Sequence, residues 1–507
     1  MKKLITSLLF FLFLAGSNFS QEFVLPLNNQ FSKEEALLNI PDYVHTSVRP
    51  IRTEVLYSLK VREAWDEPER KKSWLMRKLK QESLIKVDSG DFKLRIDPLY
   101  DFYFADIENA SGDGVLTNGR GVLVRGAIGA KFTYYSSFME NQSYFPEYLD
   151  SYVDYAGMVP GSGRTKPFKK TGYDYAMASG FLSYTPFKNL HFMAGHFKQF
   201  IGEGYRSLLL SDNAFNYPFL RASYNFWKHK LEYTYSIASL RQLERLPATK
   251  STEPQLISKW MSYNYLTFKP NKFIELGVFE SFIWQRWDST GTKAVQTTAL
   301  LPVLGLNTAS YGLNAGRNNG LIGFNLKVNP IKGITAYSQY VKGNFSKEDA
   351  FQLGLKVYNL GLKNLKARLE YNTVSGFMYT GRNRFLSYGH YGQSLTHIQG
   401  RDFDELYFEL NYMIKDFFVR AQVSSYNVQR DSLAWQSQDL SSMYRNPVIN
   451  EQVSFQDFQL GYLINPSYNL NIALGYRKRM GEHDDFGENS WLYLVLRTSL
   501  NRQYFDF

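Results

Sequence analysis

The densest set of reactive side chains in this 507-residue chain lies between Gly195 and Arg221, GHFKQFIGEGYRSLLLSDNAFNYPFLR. His196, Lys198, Glu203, Arg206, Ser211, Asp212, Asn213 and Arg221 supply charge and hydrogen bonds around an apolar run, Leu208–Leu210. Tyr205 and Tyr217 add flat faces for stacking. Gly195, Gly202 and Gly204 permit tight backbone conformations and close approach. Such a mixture suits non-covalent recognition, with charged groups for hydroxyls and carboxylates of a sugar and rings for its apolar faces. It suits equally a folded loop whose charges satisfy one another, and the two readings stand side by side. Trp284, Arg286 and Trp287 at one predicted strand top, and Tyr379, Arg382 and Arg384 at another, are further binding candidates. Each of these has a plain alternative as interfacial aromatic or solvated loop residue.

Bond-making chemistry is poorly represented. The seven histidines are His45, His191, His196, His229, His390, His397 and His483. His483 stands beside Asp484 and Asp485, and an Asp–His pair can activate water. No nucleophile motif accompanies it, so the cluster reads as a solvated loop. His390 and His397 lack the further partners a metal site requires. Gly202-Glu203-Gly204 lacks the rest of a phosphate-binding loop. The expectation is a non-enzymatic protein with no cofactor and no metal.

The elements that must position these residues follow from the hydropathy pattern. Lys2 and Lys3, the apolar run Leu4–Leu14 and the small residues Ala15, Gly16, Ser17 and Ser20 form a cleavable signal peptide over residues 1–20. No later apolar run is long enough to cross a membrane as a helix, and the mean hydropathy is −0.34. A membrane barrel escapes that test, because its strands alternate apolar and polar residues. The 37 Tyr, 39 Phe and 8 Trp suit the two aromatic girdles of such a barrel. The net charge of +11 falls to 11 − 2 = +9 without Lys2 and Lys3. A modest basic excess suits lipopolysaccharide and acidic glycans, and no basic run or motif points to nucleic acid. There is no cysteine.

Residues 21–90 read as a small helical periplasmic subdomain, with helices expected at Lys33–Leu38, Leu56–Ala64 and Arg70–Leu84. Residues 91–507 read as the barrel. Leu365, Ala367, Leu369 and Tyr371 alternate with Lys366, Arg368, Glu370 and Asn372, and Leu231–Ile237 and Leu406–Tyr412 alternate likewise. Tight turns, as at Trp227–His229 and Met413–Asp416, alternate with long segments, as at Gln199–Tyr217 and Gly376–Arg401. Short turns face the periplasm and long loops face outward. About 17 strands can be placed; both ends of the barrel on the periplasmic side require an even number, so about 18 are expected, the extra one between Phe102 and Tyr173. The last, about Ser490–Asn501, leads to Tyr504, Phe505 and Phe507, an aromatic ending of the kind barrel-assembly machinery recognises. The fold class is thus all-β: an antiparallel outer-membrane barrel, its lumen occluded by the Gly195–Arg221 segment.

That segment resembles the signature of the capsule-assembly Wzi family, including its gliding-motility RemB branch. Gly202, Gly204, Tyr205, Ser207–Leu210, Ser211, Asp212, Asn213, Ala214, Pro218, Leu220 and Arg221 carry the resemblance. Tyr391-Gly392-Gln393-Ser394-Leu395 with His397, Gly400, Asp402 and Glu405 forms a second match. Trp74, Arg77, Lys78 and Leu79 with Asp97-Pro98-Leu99-Tyr100 form a third, weaker one. The resemblance implies an 18-stranded barrel with an N-terminal helical bundle, acting as a surface lectin for capsular polysaccharide or as a surface component of gliding or secretion machinery. The Phe-, Tyr- and Asn-rich style is closer to the gliding branch. A porin or secretion-associated channel is the alternative, and it needs an open lumen.

Overall fold

The computed structural model describes residues 26–28, 30, 31, 43–51, 73–108, 112–245, 255–288, 291–294, 296–313, 318–343, 348–359, 361–381, 383–431, 448–482 and 486–507. Eighteen antiparallel strands close into one barrel. They are β1 Phe92–Glu108, β2 Gly114–Ile128, β3 Phe132–Tyr144, β4 Gly172–Phe187, β5 Leu190–Phe197 and β6 Tyr217–Phe226. Then come β7 Leu231–Arg245, β8 Leu256–Asn271, β9 Ile274–Gln285, β10 Asn318–Val328, β11 Ile334–Lys342 and β12 Asp349–Tyr358. The rest are β13 Leu365–Val374, β14 Phe403–Ile414, β15 Phe417–Asp431, β16 Val448–Asn465, β17 Leu470–Glu482 and β18 Glu488–Thr498. Every strand pairs with its sequence neighbour, and β18 closes onto β1 from Tyr493 opposite Ala105 to Arg497 opposite Asp101. The even strand number and the extra strand between Phe102 and Tyr173 match the turn-parity reading.

The distribution of side chains is inside out. Along β13, Lys366, Arg368, Glu370 and Asn372 are buried, while Leu369 and Tyr371 are exposed. Leu182, Leu220, Leu355, Leu406, Leu460, Leu474 and Leu494 repeat the exposed row on other strands. A water-soluble protein does not leave such a continuous apolar surface open; a hydrocarbon solvent favours it. Phe187, Trp227 and Phe417 are exposed at the short-turn end, and Tyr340, Phe351 and Tyr371 at the other. These are the two girdles.

One stretch of the outer wall is covered. Tyr233, Asn264 and Glu280 share the outward face of β7–β9, where an ionised carboxylate would be costly in lipid. The loop after β9 folds back over them. Its short helix Leu306–Tyr311 presents Thr308, whose N–H and hydroxyl donate to Glu280 Oε1 at 3.0 and 2.6 Å, and Gly305 N donates to Oε2 at 2.9 Å.

The structure bears on three further expectations. Of the three N-terminal helices, α1 is found, over Trp74–Lys80 only; the other two lie outside the described residues, as does the signal segment. The expected boundary at residue 90 falls inside a β-hairpin, because Ile85–Ser89 pairs with the start of β1 from Ile85 opposite Ile96 to Ser89 opposite Phe92. Residues 499–507 do not prolong the last strand at the periplasmic edge. They turn into the barrel, where Tyr504, Asp506 and Phe507 are buried. Phe507 meets Tyr148 and Tyr152 edge-on, both on α2, Glu147–Ala156, which dips in from the loop after β3. Residues 43–51 are extended inside the lumen: Val48–Arg49 pairs with Phe200–Ile201.

Candidate functional site

Residues 198–216, between β5 and β6, form a plug inside the barrel. The loop takes its shape from a few saturated polar groups. Gly202 N donates to Ser47 O at 2.7 Å, and Ile201 N to Leu210 O at 2.8 Å. Gln339, on the lumen face of β11, accepts from Leu208 N at 2.8 Å and donates to Ile201 O at 3.0 Å. Gly202 has φ +124°, and a Cβ there would lie 2.1 Å from Gln339 Nε2. Gly202→Ala is therefore expected to destabilise the barrel by about 1–3 kcal/mol through strain and overpacking. A lower unfolding temperature, read as heat-modified migration on a gel, checks this.

Two ionic hubs tie the plug to the wall. At the first, Glu203 accepts from Lys327 at 3.0 Å, Lys356 at 2.6 Å and Thr46 at 3.1 Å, with Arg49 at 3.7 Å. Burial alone would raise this carboxyl, but the three cations hold it well below the usual carboxylate range. At the second, Arg206 pairs with Glu405 and, at 2.5 Å, with Asp506. Its guanidinium also lies 4.9 and 5.1 Å from the ring centroids of Tyr205 and Tyr504. Tyr205 stacks on Tyr407 at 4.2 Å, and its N–H donates to Glu370 at 2.8 Å.

The two longer sequence matches meet here. His397 Nε2 donates to Glu405 at 2.7 Å, while Nδ1 accepts from Gln399 N at 3.1 Å, which assigns the neutral tautomer. Burial keeps His397 below its ordinary value despite the carboxylate. Asn213 Nδ2 donates to Ser394 O at 3.0 Å, and Ser211 N to Leu395 O at 2.7 Å. His390, pushed down to about 3 by burial, accepts from Arg241 N at 3.0 Å and contacts Asn216 O at 3.1 Å. Tyr391 and Asp402 take left-handed backbone with φ +52° and +54°. The loop between β13 and β14 thus lies over the plug, and Tyr379 Oη donates to Leu208 O at 2.7 Å.

Each candidate residue has a definite place. Lys198, pushed down to about 8 by burial, donates to Asp212 O at 2.9 Å. Asp212 accepts from Tyr504 Oη at 2.6 Å. Arg221 donates to Arg49 O at 3.0 Å and Pro50 O at 3.3 Å. A Cβ on Gly195 or Gly204 would lie 2.3 Å from a backbone oxygen. Trp284 faces the covered outer wall, donating to Ser262 Oγ at 2.9 Å. His196, half-buried, contacts Ala178 O at 3.2 Å and meets Phe215 edge-on. Arg286 and Trp287 stay partly open at the outer mouth, Arg286 5.6 Å from the Trp260 ring and Trp287 edge-on to Phe385 at 5.9 Å. Arg382 lies outside the described residues, as do His483, Asp484 and Asp485; Arg384 is described by its backbone alone. Lys327, Gln339, Lys356, Glu370 and Asp506 were missed. They carry no local motif, and their one sequence signal is a lumen-facing position or, for Asp506, none.

Beside the plug, against β1, β2 and β13–β18, the lumen keeps a polar cavity of about 100 Å³. Arg368, Arg420, Asp457, Arg477, Tyr493 and Arg497 line it. Arg477 donates to Asp457 at 2.8 Å and lies among the rings of Tyr103, Phe455, Trp491 and Tyr493.

No protein-family profile matches the sequence, and no curated protein does. Among solved structures, a carbohydrate-binding barrel of Escherichia coli involved in group 1 capsule assembly, Wzi, superposes with a TM-score of 0.56 over 94% of this chain and 99% of its own, at 12% identity. The fold is that of Wzi. OccK1 of Pseudomonas aeruginosa aligns at TM-score 0.44 and 9% identity over 80% of this chain and 98% of its own. OccAB2 of Acinetobacter baumannii aligns at 0.43 and 9% over 80% and 96%. The likeness to Wzi extends across the barrel of an outer-membrane protein, while its 12% identity carries no residue roles with it.

Proposed function

We propose that this chain is a non-enzymatic outer-membrane barrel that holds cell-surface polysaccharide at its outer mouth. The observation that carries the reading is the lumen. A plug fixed by two buried ionic hubs, with a second loop laid over it, suits a closed presenting platform and argues against a solute channel. The Wzi fold supports the same reading, since Wzi is described as carbohydrate-binding. Most of the plug residues act as internal ties, so the sugar-facing role falls to the open mouth. There Arg286, Trp287 and Phe385 combine stacking faces with a cation suited to acidic sugars.

Two measurements test this. The purified barrel is expected to retain capsular or exopolysaccharide from its own cell surface, and the double variant Arg286→Ala, Trp287→Ala to lose about tenfold in affinity, roughly 1.4 kcal/mol. In planar bilayers the barrel is expected to stay silent. Steady large single-channel currents, or no retention of any glycan of its own surface, overturn the reading. Loss of spreading on agar in a deletion strain that keeps its polysaccharide would place the chain in gliding instead.

A further inference from the structure

The periplasmic rim carries an apolar surface that neither the barrel nor the plug uses. On α1, Trp74 is 62% exposed, Leu75 55% and Leu79 50%, although this seven-residue helix has the barrel wall beside it. The next segment, Ile85–Ser89, continues the surface with Ile85 47% and Val87 38% exposed. Among the described residues neither element buries an apolar face, and such a face suits another solvent or another partner.

Register fixes which way the strand faces. Ile85 lies opposite Ile96 and Val87 opposite Leu94, and Ile96 and Leu94 lie opposite Val124 and Gly126. Directly opposed residues project to the same side of a sheet. On β1 that side also carries Phe102 and Phe104, of which Phe104 is exposed on the lipid-facing wall. Ile85 and Val87 therefore prolong the lipid-facing surface towards the periplasm, below the point where β18 has ended and the chain has turned inward.

The helix is fixed against the same wall. Lys80 Nζ donates to Tyr462 Oη at 2.9 Å and lies 5.1 Å from its ring. Tyr462 packs on the exposed Phe417 of the periplasmic girdle. Asn465 Nδ2 donates to Lys78 O and Glu82 O, both at 3.0 Å, holding both ends of the turn after α1. Ser83 Oγ and Leu84 N both donate to Asp97 at 3.0 Å. The charge is suited to a phospholipid surface: residues 70–82 hold six Lys or Arg against one acid, Glu82, which pairs with Arg77 at 3.2 Å and Lys78 at 3.5 Å and leaves a net positive segment. Basic residues beside a bilayer attract anionic headgroups while their stems reach along the apolar boundary.

From this continuity and charge we infer that α1 and the strand Ile85–Ser89 form an in-plane foot. Trp74, Leu75, Leu79, Ile85 and Val87 enter the periplasmic leaflet at its headgroup–acyl boundary, where the net positive charge of the segment favours anionic lipid. The foot is independent of the glycan reading, because it faces the opposite side of the membrane and touches none of the mouth residues.

The absence of cysteine allows a direct test on the whole barrel in bilayer discs containing phosphatidylglycerol. Single variants Leu79→Cys, Val87→Cys and Lys86→Cys are labelled with a nitroxide. Labels at 79 and 87 are expected to be relaxed more by dissolved oxygen than by a water-soluble nickel chelate. The label at 86, on the other face of the strand, should show the reverse. Equal nickel access at all three positions overturns the inference. So does label–label broadening at 79 that persists on dilution into excess lipid, which would mean a second copy covers the patch. Leu75→Cys replaces Leu79→Cys if the latter does not fold.

Discussion

Replacing Arg206 by leucine is expected to have the largest effect of any single change in the barrel, about 3–5 kcal/mol of lost stability. Arg206 is fully buried and stands between Glu405 and Asp506. The other lone pairs of those carboxylates are already used. Asn372 and His397 each donate to Glu405 Oε2 at 2.7 Å, and Gln422 donates to Asp506 Oδ2 at 2.8 Å. Leucine leaves two carboxylates facing each other out of water. The structure must then expel the C-terminal segment, lift the plug or take up protons. Expulsion opens a path, so the variant is expected to unfold at a markedly lower temperature and to show channel events in planar bilayers where the parent is silent. The variant carrying Glu405→Gln and Asp506→Asn as well removes both orphaned charges and is expected to recover much of the loss. A single variant with unchanged unfolding temperature and no conductance would show that the hub does not hold the plug.

The barrel wall was legible in the sequence because its code is local. Leu365–Asn372 states in eight residues which side meets lipid, and the alternation of turn and loop lengths then sets orientation and parity. The hub was not legible, because Arg206, Glu405 and Asp506 come from a loop, a strand top and the C-terminal segment. Nothing in a linear pattern says that they converge. The aromatic character of Tyr504, Phe505 and Phe507 does not say where the rings go: it is the same whether they end a strand or fill a lumen against Tyr148 and Tyr152. Trp284 shows a related limit. Strand period gives its face, but that the outward face near Glu280 is roofed by the loop carrying Thr308 depends on folding. The plug itself was read correctly as occluding, while its division between internal ties and ligand contacts rests on distances that only three-dimensional placement supplies.

Glu203→Gln should have the second-largest effect, and it separates the plug from the N-terminal segment. The amide keeps the size and an acceptor but removes the charge that faces Lys327, Lys356 and Arg49, all three buried. Three cations around a neutral group repel one another in a poor dielectric, and a loss of about 3–5 kcal/mol is again expected. The segment 43–51 is coupled most directly to this hub, through Thr46 on Glu203 and Lys327, Gly202 N on Ser47 O and the pairing of Val48–Arg49 with Phe200–Ile201. Its amides should exchange hydrogen faster by on the order of a hundredfold or more, since each 1.4 kcal/mol is tenfold, while those of the distant β14–β18 wall change little. Acid should reproduce the effect in the parent. The cations hold the folded Glu203 carboxyl below its ordinary value of 4.5, so its contribution is complete above that value and drains as pH falls through the lowered one. The parent should therefore loosen at residues 43–51 on acidification, and Glu203→Gln, already loose, should respond much less. An equal acid response in both would assign the pH dependence to other carboxylates and leave Glu203 a spectator.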